Sequence, residues 1–199
     1  MFLKDTVNRT RPAVFLDRDG TINVDVKYLS RLEDLRFIPG AARAMARLRD
    51  GGYSLVVVTN QSAVARGLMT EADLGEIHRE LRRQLRDAGA EVDGVYYCPH
   101  HPDYGRPPYR QVCVCRKPNP GLLRRAALEL GLDLEASYMV GDSLTDLQAG
   151  WNAGCGVVLV LTGCGTETHR EADADILDRI DYIAGDLSEA ADWIVGRRV

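Results

Sequence analysis

Residues 14–23 read VFLDRDGTIN. An apolar run passes directly into Asp17-Arg18-Asp19-Gly20-Thr21. Two carboxylates two positions apart, at the end of what reads as a buried strand, repel each other and are costly to desolvate unless a positive partner stands between them. The same arrangement, an apolar run closed by polar groups, returns several times along the chain, and that recurrence decides the fold.

Working outward, AVFLD (13–17), YSLVVVTN (53–60), GVYYC (94–98), SYMVGD (137–142) and GVVLVLTG (156–163) read as strands, with a short apolar segment near Tyr182-Ile183. Helical patterns lie between them. GAARAMARLRD (40–50) is closed by Gly51-Gly52. Thr70 caps a helix reaching about Ala88, with Glu71 and Asp73 in its first turn, where the helix dipole favours negative charge. NPGLLRRAALELG (119–131) has Pro near its start and Gly at its end. Further helices are expected from about Thr145 to Asn152 and from about Leu187. Alternating elements with continuously apolar strands predict an α/β fold: a three-layer, Rossmann-like parallel sheet with helices on both faces. One domain is expected over residues 1–199. In such a sheet, ligands bind at the carboxyl ends of the strands.

The composition fits a soluble globular chain: 199 residues, 45% hydrophobic, 27% charged, formal charge −4. That charge gives no general attraction to nucleic acid or to an anionic membrane. No apolar run approaches the ~18 residues that a membrane helix needs. The opening MFLKDTVNRTRPAVFLD carries charges where a secretory segment needs apolar residues, so a cytoplasmic location is expected. A small-molecule substrate and a monomeric state are expected.

The polar strand ends are Asp17-Arg18-Asp19, Thr59-Asn60-Gln61-Ser62, and Gly141-Asp142 followed by Asp146; Arg116-Lys117 lie in the loop beyond Cys115. Gathered at one rim, these carboxylates call for a hard cation, and Mg²⁺ shares its oxygen shell with substrate phosphate. Lys117 is a point charge suited to a phosphate oxygen, and Thr59 offers a hydroxyl. The set fits phosphoryl transfer, in which positioning and charge neutralisation do most of the catalysis.

The five cysteines are Cys98, Cys113, Cys115, Cys155 and Cys164. CPH at 98–100 and CVC at 113–115 form two chelating pairs separated by 12 residues that include three prolines. Cys98, His100, Cys113 and Cys115 suit a closed, tetrahedral, structural Zn²⁺ site in a loop over 98–115, with His101 as the competing imidazole. Such a staple would hold Arg116 and Lys117 against the rim. Cys155 and Cys164 read as bystanders.

DRDGT, TNQS, RKP and GDSLTD, in that order over positions 17–146, resemble the signature motifs of the haloacid dehalogenase (HAD) superfamily. With CPHHP and CVCRKPNPG added, the chain resembles the heptose-bisphosphate and histidinol-phosphate phosphatase family within it. The resemblance implies a minimal cap and a set of roles. Asp17 is the nucleophile. Asp19 is general acid, then base. Mg²⁺ is held by Asp17, the Asp19 carbonyl and Asp142. Thr59 and Lys117 hold the phosphoryl group, and Asp146 supports Lys117 or a metal-bound water.

The implied reaction removes the C7 phosphate of a heptose 1,7-bisphosphate, on the way to heptose for lipopolysaccharide; histidinol phosphate is the alternative substrate. Substrate contacts implied by the resemblance are Asp25, Val26, Lys27, Tyr28, Thr59, Asn60, Gln61, Ser62, Arg116 and Lys117. Arg116 suits a second phosphate, with Lys27 and Arg66 as weaker candidates. In one respect the chain departs from the pattern: some members have a basic residue after the last motif's first Asp, and here it is Ser143. Ala63, where relatives often have Gly, is a minor departure. A receiver-like phospho-signalling module and a zinc-stabilised binding protein are the non-enzymatic alternatives.

Overall fold

The computed structural model describes residues 10–197, so most of the stretch read for a secretory leader lies outside the described residues. In chain order the elements are β1 (Arg11–Leu16), a 3-10 turn at Leu32–Asp34, α1 (Ala41–Asp50), β2 (Ser54–Asn60), α2 (Ser62–Ala65), α3 (Glu71–Asp87) and β3 (Gly94–Cys98). They continue with α4 (Gly121–Leu130), β4 (Leu132–Gly141), α5 (Leu144–Ala153), β5 (Gly156–Val160), α6 (Gly165–Glu171), α7 (Ala174–Leu177), β6 (Tyr182–Ala184) and α8 (Leu187–Gly196).

The strands form a six-stranded parallel sheet in the order β3-β2-β1-β4-β5-β6. This is the expected fold. Successive side chains of β1 point to opposite faces. Val14 and Leu16 pack with Met45 and Leu48 of α1, Leu74 and Leu81 of α3, and Ile194 of α8. Ala13 and Phe15 pack with Leu122 and Leu123 of α4 and Leu147 of α5. All four β1 side chains are fully buried, which is why the strand reads as continuously apolar rather than alternating.

Some boundaries differ from expectation. β4 begins at Leu132 rather than Ser137, because Leu132 and Asp133 pair with Arg11 and Pro12 before the register shifts. β5 ends at Val160, and the expected tail to Gly163 turns away instead, with Gly163 in a left-handed conformation (φ 56°). α4 starts at Gly121, after Pro120, and stops at left-handed Gly131. α2, α6 and α7 were not legible. α2 and α7 have four residues each, and α6 buries only Gly165, so none carries an apolar stripe. The Thr70 cap is present as a reciprocal box with Asp73.

The chain moves from β1 outward to β3, then returns to β4 on the other side of β1. The crevice between β1 and β4 is therefore the topological switch point, where parallel sheets of this kind bind ligands. Leu16 is in register with Val57 of β2 and with Val140 of β4, so Asp17, Thr59 and Asp142 emerge together at the carboxyl rim.

Candidate active site

Asp17 enters the crevice directly from β1, its N–H donating to the Val140 carbonyl at 2.9 Å. Carboxylate oxygens of Asp17, Asp142 and Asp146, all buried, lie within 4.8 Å of one another. Lys117 reaches into this group from the loop before α4. Its Nζ lies 2.6 Å from Asp17 Oδ1, 2.5 Å from Asp146 Oδ1 and 2.8 Å from the Val58 carbonyl. It donates to Asp17 Oδ1 and to the Val58 carbonyl, and pairs with Asp146 by charge. Burial disfavours the ammonium, but Asp146 and Asp17 outweigh it and Lys117 is held firmly protonated. Burial pushes Asp17 well above the usual carboxylate range; Lys117 opposes this, while Asp146, Asp142 and Asp19 add to it. Asp142 is pushed up to about 6 by burial and then by Asp146.

One lysine among three buried carboxylates leaves negative charge uncompensated, and the backbone closes tightly around it. Asp142 Oδ2 accepts the Cys164 N–H at 2.8 Å. A Cβ on Gly20, which is left-handed at φ 86°, would lie 2.1 Å from the same oxygen. An oxygen-only, net-negative donor set in a crevice this closely fitted suits a hard divalent cation.

Asp19 is placed differently. Arg18, fully buried, grips its carboxylate, with Nη2 at 2.7 Å from Oδ2 and Nε at 3.2 Å from Oδ1. Asn23 and Gln61 donate to it at 2.9 and 3.0 Å. Burial works to raise the Asp19 pKa, but Arg18 and these hydrogen bonds prevail and hold it below the usual range. Arg18 also contacts Gln61 Oε1 at 3.0 Å and His78 Nε2 at 3.2 Å. Burial, and then the Arg18 charge, lowers His78 to about 3, so its ring is neutral and can accept from the guanidinium. Arg18 and His78 were not singled out from sequence. His78 falls on the buried face of α3 with Leu74, Ile77 and Leu81, where the helical period marks only core.

Asn60 is joined to Lys117 by a reciprocal pair. Its amide accepts the Lys117 N–H at 3.1 Å and donates to the Lys117 carbonyl at 3.1 Å, which fixes the lysine's backbone. Gln61 Nε2 donates to Thr59 Oγ1 at 2.8 Å. That bond occupies an acceptor position of Thr59 and leaves its hydroxyl proton for another partner. Asp146 Oδ2 accepts from the N–H and Oγ of Ser143 at 3.1 and 2.6 Å, closing the start of α5.

A cleft of about 190 Å³ opens over this centre, and Asp25, Lys27, Thr59 and Asn60 from the expected substrate set line it with Lys117. Ser143 and Thr145 also line it. Val26, Tyr28, Gln61, Ser62 and Arg116 do not line it. The Gln61 side chain is buried against Thr59, Asp19 and Arg18. Arg116 donates to the His100 carbonyl at 3.1 Å. Arg66 is stacked 3.5 Å from the Tyr104 ring centroid and 5.4 Å from that of Tyr28.

In the loop beyond β3, Cys98, His100, Cys113 and Cys115 converge. Cys115 Sγ lies 3.2 Å from Cys98 Sγ and 3.2 Å from Cys113 Sγ, and 3.4 Å from His100 Nδ1. Hydrogen bonding with Cys98, and then with Cys113, draws the Cys115 thiol down to about 5 against the effect of burial. His101 faces elsewhere: its Nδ1 accepts the Asp103 N–H and its ring packs on Tyr104. The four converging groups can hold a metal ion. The loop's end runs straight into Arg116 and Lys117, so it sets the position of both.

Comparison with known proteins reinforces this geometry. The HAD-hydrolase-like family model matches residues 114–190. A D-glycero-beta-D-manno-heptose-1,7-bisphosphate 7-phosphatase of Photorhabdus laumondii is 47% identical over 167 residues, 83% of this chain and 89% of the relative. Its Escherichia coli namesake is 49% identical over 165 residues, 82% of this chain and 86% of the relative. The chain belongs to the heptose-1,7-bisphosphate 7-phosphatase family of HAD hydrolases. A solved structure, the D,D-heptose 1,7-bisphosphate phosphatase of B. bronchiseptica complexed with magnesium and phosphate, superposes with a TM-score of 0.83 at 37% identity, covering 94% of this chain and 99% of that one. This HAD protein is a phosphatase, a hydrolase of phosphoric monoesters. Among its described residues no helix is long and apolar enough to cross a membrane.

Proposed function

We propose that this phosphatase removes the C7 phosphate of D-glycero-β-D-manno-heptose 1,7-bisphosphate through a phosphoryl-Asp17 intermediate. The observation that carries the reading is the convergence of Asp17, Asp142, Asp146 and Lys117 at the switch-point crevice, in a chain whose relatives are named for this reaction.

The donor set fits Mg²⁺, which the Asp17 and Asp142 carboxylates and the Asp19 carbonyl would hold. When bound, it neutralises phosphate charge and polarises a phosphoryl oxygen. Asp17 is the nucleophile: a carboxylate oxygen forms a bond to phosphorus as the bond from phosphorus to the C7 oxygen breaks. The Thr59 hydroxyl, its acceptor side taken by Gln61, donates to a phosphoryl oxygen. Lys117 neutralises negative charge as it develops. Asp19, which takes a proton from solvent as substrate binds, gives that proton to the departing C7 oxygen. A water then attacks phosphorus, Asp19 takes the water's proton, and the bond from phosphorus to Asp17 breaks, which frees phosphate and restores the carboxylate. Arg18 holds Asp19 ionised before substrate enters; a phosphate dianion beside it opposes that effect and raises its proton affinity. Three thiolates and one imidazole suit structural Zn²⁺ at the loop.

The test is phosphate release, with and without Mg²⁺, from both heptose bisphosphate anomers and from histidinol phosphate. The β-bisphosphate is expected to give the highest kcat/KM, with Mg²⁺ required. A kcat/KM for histidinol phosphate more than about tenfold higher, a gap of roughly 1.4 kcal/mol, overturns the substrate assignment.

A further inference from the structure

The segment 161–168, LTGCGTET, leaves the end of β5 and enters the first turn of α6. None of it belongs to the motifs read from the sequence, and Cys164 reads there as a bystander. In the fold it grips the rim at two places: Gly20, which follows Asp19, and Asp142.

The Thr162 hydroxyl donates to the Gly20 carbonyl at 2.6 Å. The Gly20 N–H donates to the Asn23 carbonyl at 2.8 Å. Both ends of Gly20 are thereby pinned, which matters because a left-handed glycine has the widest choice of backbone angles. In a trans peptide the C=O points opposite to the N–H that follows it, so fixing the Gly20 N–H also fixes the direction of the Asp19 carbonyl.

Asp142 is held at both its side chain and its backbone. Its Oδ2 accepts the Cys164 N–H at 2.8 Å, and its carbonyl accepts the Thr168 hydroxyl at 2.8 Å and the Cys164 thiol at 3.3 Å. Gly163 makes this approach possible: it is left-handed at φ 56°, and a Cβ there would lie 2.0 Å from Asp142 Oδ2 and 2.6 Å from Gly20 Cα. The segment is braced from within, the Gly165 N–H donating to the Thr162 carbonyl at 2.8 Å and the Thr168 N–H to the Cys164 carbonyl at 2.9 Å. One short turn therefore ties together the two chain segments that carry Asp19 and Asp142, and no residue of it lines the cleft.

We propose that Thr162 and Thr168 are positioning residues for the Mg²⁺ centre, which set the Asp19 carbonyl and the Asp142 carboxylate in place before the ion arrives. Hydroxyls that merely satisfied backbone carbonyls would stabilise the turn and nothing else. Donors that preorganise the ligands also lower the Mg²⁺ concentration that fills the site. The inference rests on the Mg²⁺ reading above and deepens it.

The experiment titrates Mg²⁺ into wild type, Thr162→Val, Thr162→Ser and Thr168→Val. Two half-saturating concentrations are read, one from the rise in Tm without substrate and one from kcat. Valine keeps the shape and removes the hydroxyl, whereas serine keeps the hydroxyl. Both valine variants are expected to need about tenfold more Mg²⁺ in each titration. KM for heptose 1,7-bisphosphate at saturating Mg²⁺ changes by less than about twofold. Thr162→Ser returns both concentrations to within about threefold of wild type. Valine variants that half-saturate at the wild-type Mg²⁺ concentration, whatever their Tm, overturn the inference, as does a serine variant no better than valine. Should Thr162→Val not fold, Thr168→Val decides alone. Wild type with neither a Mg²⁺-dependent rise in Tm nor Mg²⁺-dependent turnover removes the metal reading itself, which is a separate result.

Discussion

Replacing Lys117 with Met tests the electrostatic design of the crevice. The methionine keeps much of the stem but removes all three protons, which leaves Asp17 Oδ1, Asp146 Oδ1 and the Val58 carbonyl without the ammonium that now lies 2.6, 2.5 and 2.8 Å away. Both carboxylates and the lysine are buried, so water does not take its place readily. Breaking a buried charge pair in this way costs roughly 3–5 kcal/mol. For a domain of this size, each kcal/mol corresponds to about 2–4 °C, so a fall in Tm of roughly 6–20 °C is expected at neutral pH. The loss shrinks as pH falls, because protonating the orphaned carboxylates removes their repulsion. It also shrinks when Mg²⁺ is added. The assay is thermal melting of wild type and variant at about pH 5.5 and 7.5, with and without Mg²⁺. A shift of less than about 2 °C at the higher pH, or one independent of pH and Mg²⁺, refutes the reasoning, since it means that the carboxylates are solvated.

Gly20→Ala drives a methyl group to 2.1 Å from Asp142 Oδ2 at a left-handed backbone position, so Mg²⁺-dependent kcat/KM is expected to fall at least about a hundredfold. Asp142 has its pKa raised to about 6 in the fold, so its protonated form stabilises the ligand-free protein at low pH and that contribution is lost as pH rises through about 6. Asp142→Asn without Mg²⁺ is therefore expected to be more stable than wild type above that pH, by an amount on the order of 3 kcal/mol, and equal to it below about pH 4; denaturation across the range reads this out. Cys115→Ser is expected to abolish stoichiometric zinc in elemental analysis, and to lower Tm and kcat together, because Lys117 follows two residues later. Arg18→Met leaves Asp19 and Gln61 without their shared donor. Steady-state kinetics should show kcat falling about tenfold or more with KM little changed.

The sheet was legible because its strands are buried on both faces, so apolar runs such as Val14–Leu16 and Leu55–Val58 announce themselves. The crevice was legible because its chemistry sits at strand ends, where a polar residue after an apolar run stands out. The three cysteines of the loop were legible by spacing, while the choice of His100 over His101 needed the fold. What stayed hidden depends on relations between segments. Nothing near His78 in the sequence pairs it with Arg18, since the contact joins a helix face to a strand end 60 residues away. The amides of Asn60 and Gln61 bond to Lys117, Thr59 and Asp19, partners that no local pattern announces.

The most direct test of the central claim is an acid-quenched single turnover of heptose 1,7-bisphosphate with Mg²⁺, analysed by peptide mass spectrometry. A transient phosphoryl group on Asp17, absent in Asp17→Asn and absent without Mg²⁺, is the predicted result. Turnover that proceeds with no phosphoryl group on Asp17 at any quench time, or a phosphoryl group on another residue, contradicts it.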